Sequence, residues 1–148
     1  MPDSVTLDGT LLAFDFGLRR IGIAVGQTRT RTANSLETLA NRGDQAWHRI
    51  SRLVAEWRPC ALIVGLPLDR DGLETDMSRH ARQFAAELTQ RTGVSVFFQD
   101  ERLTSRAADD AFAAMRAAGT RRRKDASLKD AMAAKIILEN WLQSQPLP

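Results

Sequence analysis

The sequence predicts an α/β fold in which a mixed β-sheet is covered by helices. Three observations predict it. Three strand-like segments come first, joined by short turns. Helical and strand-like segments then alternate, as they do where strands run parallel. The chain then closes on two consecutive helical segments, and its 148 residues suit one domain with a single adequate core, spanning about residues 11–142.

Residues 11–16 and 21–27 read as two antiparallel strands around a glycine-containing turn at Gly17. Residues 32–39 read as a third short strand. Asp44 caps a helix to about Trp57, with Trp47, Ile50, Leu53, Val54 and Trp57 at three- and four-residue spacing. Arg58-Pro59 stops it. Residues 61–65 are a continuous apolar run, the pattern of a strand buried on both faces. A loop with a turn signal at Asp71-Gly72 leads to a helix over 76–92, ended by Gly93. Residues 94–99 read as a strand. Thr104 or Ser105 caps a helix to about Ala118, a basic loop follows over 119–124, and the last helix runs over 127–142.

Composition excludes several classes. Apolar residues make up 43% and charged residues 26%, ordinary values for a globular protein. No stretch approaches the ~20 apolar residues that span a bilayer. The opening residues lack a basic-then-apolar leader, so a cytoplasmic location is expected, with no membrane partner. The single cysteine, Cys60, rules out an internal disulfide and reads as a small buried hydrophobe. His48 and His80 lack partners at ligand spacing, which excludes zinc, and no serine or cysteine triad is visible. Net charge is only +3, yet Arg102, Arg106, Arg116, Arg121, Arg122, Arg123 and Lys124 face only Asp109 and Asp110 in the same segment. Such a stripe on a near-neutral body is the footprint of a polyanion.

Asp15 is the anomaly of the first strand. Aspartate is depleted in strands, and an unpaired buried charge costs several kcal/mol or is neutralised. Two further places carry carboxylates that packing alone does not explain. The strand over 94–99 ends in Asp100-Glu101, where ligands sit in open α/β sheets, and the residues alone do not choose between the two. Asp130 shares a helical face with Ala133, Ala134, Ile137 and Trp141, but Ser127-Leu128-Lys129-Asp130 also has the form of a capping box. Like charges ~4 Å apart repel by about 4 kcal/mol at an effective dielectric of about 20. Three converging carboxylates therefore call for a hard divalent cation. Two such ions activate water and stabilise the leaving oxygen in phosphodiester cleavage. Asp69 and Asp71 are candidates to assist, although Asp71-Gly72 reads more simply as a turn.

Four segments in order resemble the YqgF/RuvX family, Holliday junction resolvases later linked to pre-16S rRNA processing. They are Phe14-Asp15-Phe16-Gly17 with Arg20-Ile21-Gly22-Ile23-Ala24, Val64-Gly65-Leu66-Pro67-Leu68 with Asp71-Gly72, Asp100-Glu101-Arg102-Leu103-Thr104-Ser105, and Lys129-Asp130-Ala131-Met132-Ala133-Ala134 with Ile137-Leu138. The resemblance implies an RNase H-like fold, a five-stranded mixed sheet with helices on both faces. It implies a nuclease using Mg2+ or Mn2+, with Asp15, Glu101 and Asp130 as catalytic acids and metal ligands. Of the adjacent pair it points to Glu101. Arg19 and Arg20 fall where the family carries phosphate-contacting basic residues, and Arg102, Arg122 and Lys124 extend that set. The arginine-rich stretch over 119–124 departs from the family pattern and bears on affinity. The chain has no tyrosine, so backbone reading of a structured nucleic acid fits better than base stacking.

The expected function is cleavage of structured RNA by a monomer or weak homodimer, in 5′-end processing of pre-16S rRNA. The rivals are a resolvase of four-way DNA junctions and a non-catalytic ribosome-assembly or transcription factor retaining the fold.

Overall fold

The computed structural model describes residues 7–101 and 125–145. Its elements are β1 (Thr10–Phe16), β2 (Arg20–Gln27), β3 (Thr32–Ala40), α1 (Asp44–Trp57), β4 (Ala61–Leu66), α2 (Asp76–Thr92), β5 (Val96–Asp100) and α3 (Asp125–Ser144). The expected helix over 104–118, the basic loop over 119–124, and Arg102, Arg122 and Lys124 lie outside the described residues.

The strands form one five-stranded sheet in the order β3-β2-β1-β4-β5. β1 runs antiparallel to β2 and β2 to β3, while β4 and β5 run parallel to β1. The sheet is mixed, as its sequence order predicts. A bulge interrupts the β2–β3 register between Ile23 and Ala24.

Alternation along each strand sorts the core onto two faces. Leu12, Phe14, Ile21, Ile23, Val25, Leu62 and Val64 pack with α1 and α2. Leu11, Ala13, Ala24, Ala33, Ala61 and Ile63 pack with Ala134, Ile137, Leu138, Trp141 and Leu142 of α3. Helices therefore cover both faces, and β4 is buried on each, with Ala61 to Val64 fully enclosed.

Several boundaries differ from the sequence expectation, each for a local reason. Asp44 is the first helical residue of α1 rather than its cap; Gly43 is the cap, without a side-chain hydrogen bond. The α1 helix ends where Arg58 turns left-handed at φ 46, just before Pro59. The start of α2 is a capping box in which Thr75 accepts from the Ser78 amide and Ser78 returns a contact to the Thr75 amide. β5 begins two residues later than expected because the Val94 amide donates to Thr92 Oγ1, leaving Val94 in the helix-to-strand turn. α3 begins at Asp125, so Asp130 lies in its second turn. That removes the reading of Asp130 as a capping acid.

Candidate active site

β1 delivers Asp15 to the α3 face. Leu11 and Ala13 precede it on that face, while Leu12 and Phe14 point the other way. Directly opposite Asp15 in the antiparallel ladder is Gly22. A Cβ at Gly22 would stand 2.1 Å from the carbonyl oxygen of Asp130. The backbone of α3 thus occupies the place of the missing side chain. This close approach brings Asp130 beside Asp15, and its charge raises the Asp15 carboxyl. The Ser35 hydroxyl on β3 donates to the Ala131 carbonyl at 3.1 Å and pins the same turn of α3.

β5 delivers the third acid by parity. Phe97 meets Trp141 of α3 at 5.9 Å between ring centroids, whereas Phe98 packs with the α1/α2 core under the Arg82 guanidinium. The side facing α3 is therefore shared by Phe97, Gln99 and Glu101, and Asp100 belongs to the opposite side. The Glu101 amide donates to the Leu66 carbonyl at 3.1 Å, carrying the parallel ladder one residue past β5. Its side chain crosses Gly65, where a Cβ would stand 2.7 Å from Glu101 Cγ and Cδ. Gly65 follows Val64, the β4 partner of Phe14, so Asp15 is flanked by glycines on both neighbouring strands.

The electrostatics follow from this crowding. Burial raises the Asp15 carboxyl, the charge of Asp130 adds to the rise, and a hydrogen bond with Glu101 opposes it. Glu101 is pushed up to about 9, first by burial, then by the Asp15 charge, its hydrogen bond with Asp15, and the charge of Asp100. The signs identify the partners: a protonated Glu101 donates to an ionised Asp15. Asp130 accepts from Arg20 Nε at 2.6 Å. Among the described residues, no three acidic, histidine or cysteine side chains stand close enough to enclose a metal ion. The acids form two bonded pairs, Asp15–Glu101 and Arg20–Asp130, at one end and on one face of the sheet.

The family model described as "RuvX: Holliday junction resolvase" matches residues 9–144. The chain belongs to the RuvX family. A relative from Azotobacter vinelandii, described as "putative pre-16S rRNA nuclease", is 46% identical over 138 residues, 92% of this chain and 94% of that protein. One from Dechloromonas aromatica with the same description is 44% identical over 137 residues, 92% of each chain. Thermus thermophilus RuvC, solved in complex with a Holliday junction substrate, superposes with a TM-score of 0.53 at 16% identity, covering 94% of this chain and 99% of that one. This likeness bears out the expected RNase H-like fold. The relatives are named as nucleases, in line with the expected activity class.

The other residues singled out in this RuvX sequence fall in several places. Arg19 is exposed in the β1–β2 turn, which Asn41 clasps through its Nδ2 on the Gly17 carbonyl at 2.9 Å and its amide on the Arg19 carbonyl at 2.8 Å. Arg20 is engaged with Asp130. Asp69 turns its carboxylate inward to its own loop, accepting from the Asp71 and Leu73 amides at 2.9 Å each. Asp71 is exposed beside Gly72 at φ 82, the turn expected there. His48 is exposed. His80 lines a cavity of about 200 Å³ with Phe16, Asn41, Trp47, Gln83 and Glu87, on the α1/α2 side and away from the acids. Cys60 is partly buried, its thiol raised by burial and bonded to the Thr10 carbonyl. No helix among the described residues is long and apolar enough to cross a membrane.

Sequence reasoning missed the placing residues, Gly22, Gly65 and Ser35. A signal for the first was present. β2 alternates Ile21, Ile23 and Val25 with Gly22, Ala24 and Gly26, so one face is large and the other nearly bare.

Proposed function

We propose that this chain is a divalent-metal-dependent endonuclease of structured RNA, with 5′-end maturation of pre-16S rRNA as its natural reaction. The observation that carries the reading is the buried Asp15–Glu101 pair, with the charge of Asp130 felt at Asp15 across Gly22. The donors fit hard cations: they are carboxylate oxygens, and two are buried together so that full ionisation needs a counter-charge. Asp15, Glu101 and Asp130 would hold Mg2+ or Mn2+, in a two-ion site. Such ions, when bound, supply an activated water and stabilise charge at the phosphate.

The protein residues do the placing. Gly22 and Gly65 leave room for carboxylates at the sheet end, and the parallel ladder fixes Glu101 on the correct face. Arg20, paired with Asp130, and Arg19, exposed in the adjoining turn, would receive phosphates. Arg102, Arg122 and Lys124 extend that positive surface in the proposal. A single domain over 1–148, acting in the cytoplasm as a monomer or weak homodimer, completes the reading.

Asp15→Asn is expected to abolish cleavage of a pre-rRNA 5′ fragment while leaving most RNA binding intact, since charge is lost and shape kept. Full metal-dependent cleavage by this variant, in the same gel assay, sinks the assignment. The second reading is a DNA junction resolvase, supported by the family description and by the RuvC likeness. Side-by-side cleavage of the RNA fragment and a four-way DNA junction separates the two. Resolution by paired nicks normally needs a symmetric dimer, so a strictly monomeric protein counts against the junction.

A further inference from the structure

The Arg20–Asp130 pair is single-pronged, as is Arg91 on Glu87, but unlike that pair it borders the buried acids. Arg29 on Asp8 and Arg49 on Glu37 grip both carboxylate oxygens through Nε and Nη2. Arg20 holds Asp130 by Nε alone, and its terminal amino groups have no hydrogen-bond partner among the described residues. Its side chain is 40% exposed and that of Asp130 26%, so the pair meets solvent at the mouth of the site.

We propose that Arg20 couples metal binding to nucleic-acid binding by exchanging Asp130 for a substrate phosphate. The inference rests on the metal-dependent reading above. Arg20 opens β2 on the face that carries Gly22, and Asp130 sits over Gly22, so one guanidinium borders both the acids and the sheet end. While Arg20 holds Asp130, it occupies a carboxylate oxygen that a cation needs and places a positive charge beside the cation site. A phosphate offers the guanidinium fork two oxygens in place of one. The exchange frees Asp130 and withdraws the opposing charge. Half-exposed ion pairs of this kind contribute little on their own, so the pair gives way readily. Linkage makes the effect reciprocal: bound metal, by claiming Asp130, releases Arg20 for the phosphate by the same factor.

The test measures Mn2+ affinity from the electron paramagnetic resonance of free Mn2+, with and without an RNA hairpin whose integrity is checked on a denaturing gel. In the wild-type protein the hairpin is expected to tighten Mn2+ by about 5-fold or more. Arg20→Gln is expected to bind Mn2+ more tightly than wild type without RNA, and to show a smaller gain when RNA is added. Arg20→Lys keeps the charge without the fork and is expected to fall between the two; circular dichroism confirms folding of each. Equal or weaker Mn2+ binding by folded Arg20→Gln, or an undiminished RNA-dependent gain in it, overturns the coupling. Asp130→Asn separates this failure from failure of the underlying reading. Weakened Mn2+ binding there keeps Asp130 a ligand, whereas unchanged binding removes it and overturns both proposals.

Discussion

On the face covered by α1 and α2, the sheet presents Leu12, Phe14, Ile21, Ile23 and Val64, whereas under α3 only Leu11 and Ile63 of its middle strands are large, and the residues around the acids are Ala13, Gly22, Ala24, Gly26 and Gly65. The first face is stabilised by filling space. Phe84 alone meets Phe14 at 5.6 Å, Phe16 at 4.9 Å and Trp47 at 5.3 Å between ring centroids. The second face works by leaving space. Its small residues let a helix backbone come down onto β2 and let a carboxylate cross β4. Large side chains stabilise a core but fill the room a polar site needs, so the chain assigns the two tasks to opposite sides of one sheet.

The comparison can be broken from either side, with the larger loss of stability expected on the filled face. Phe84→Ala removes a ring that is 5% exposed and is expected to cost about 3–5 kcal/mol in chemical denaturation. Metal affinity measured where the variant is still folded should stay near wild type, because no acid touches that ring; a large loss would show that the faces are not independent. Gly22→Ala adds one methyl on the other side, aimed at the Asp130 backbone. It is expected to cost about 2–3 kcal/mol and to lower Mn2+ affinity, since α3 must lift away from Asp15. An alanine variant with wild-type stability and metal affinity would refute the role given to this contact.

The contrast sharpens through pH. Glu101, at about 9, binds its proton in the folded state across a range where the unfolded chain has released it. The folded metal-free protein therefore holds more protons between roughly pH 4.5 and 9, and its stability falls as pH rises through that window. Asp8 and Glu74, held low by Arg29 and Arg82, act in the opposite sense but only at more acid pH. The melting temperature of metal-free protein should drop from pH 5.5 to pH 8.5. Glu101→Gln should flatten that slope. A wild-type profile that rises across the window would contradict the protonated Glu101.

Local pattern made much of this legible. Alternation located the strands, helical spacing located α1 and α2, and the order of elements gave a mixed sheet. Errors fell at boundaries decided by single hydrogen bonds, such as Thr92 Oγ1 on the Val94 amide, which shortens β5. The site was half legible. Asp15 stood out because a strand tolerates a carboxylate poorly, yet residue pattern alone left Asp100 and Glu101 equivalent and let Asp130 pass as a helix cap.

What the sequence determined by itself was the set of acids, the strand and helix order, and a bare stripe on β2, because these follow from side-chain chemistry at short range. Only the tertiary structure decided that Glu101 and not Asp100 shares a face with Asp15. That depends on which side of the sheet Phe97 and Phe98 pack, a contact with helices far along the chain. Only the fold, too, showed that Arg20 grips Asp130, a bond between residues 110 apart in sequence. Periodicity sees one element at a time, and the approach of the acids from β1, the end of β5 and α3 depends on faces that meet only in the fold.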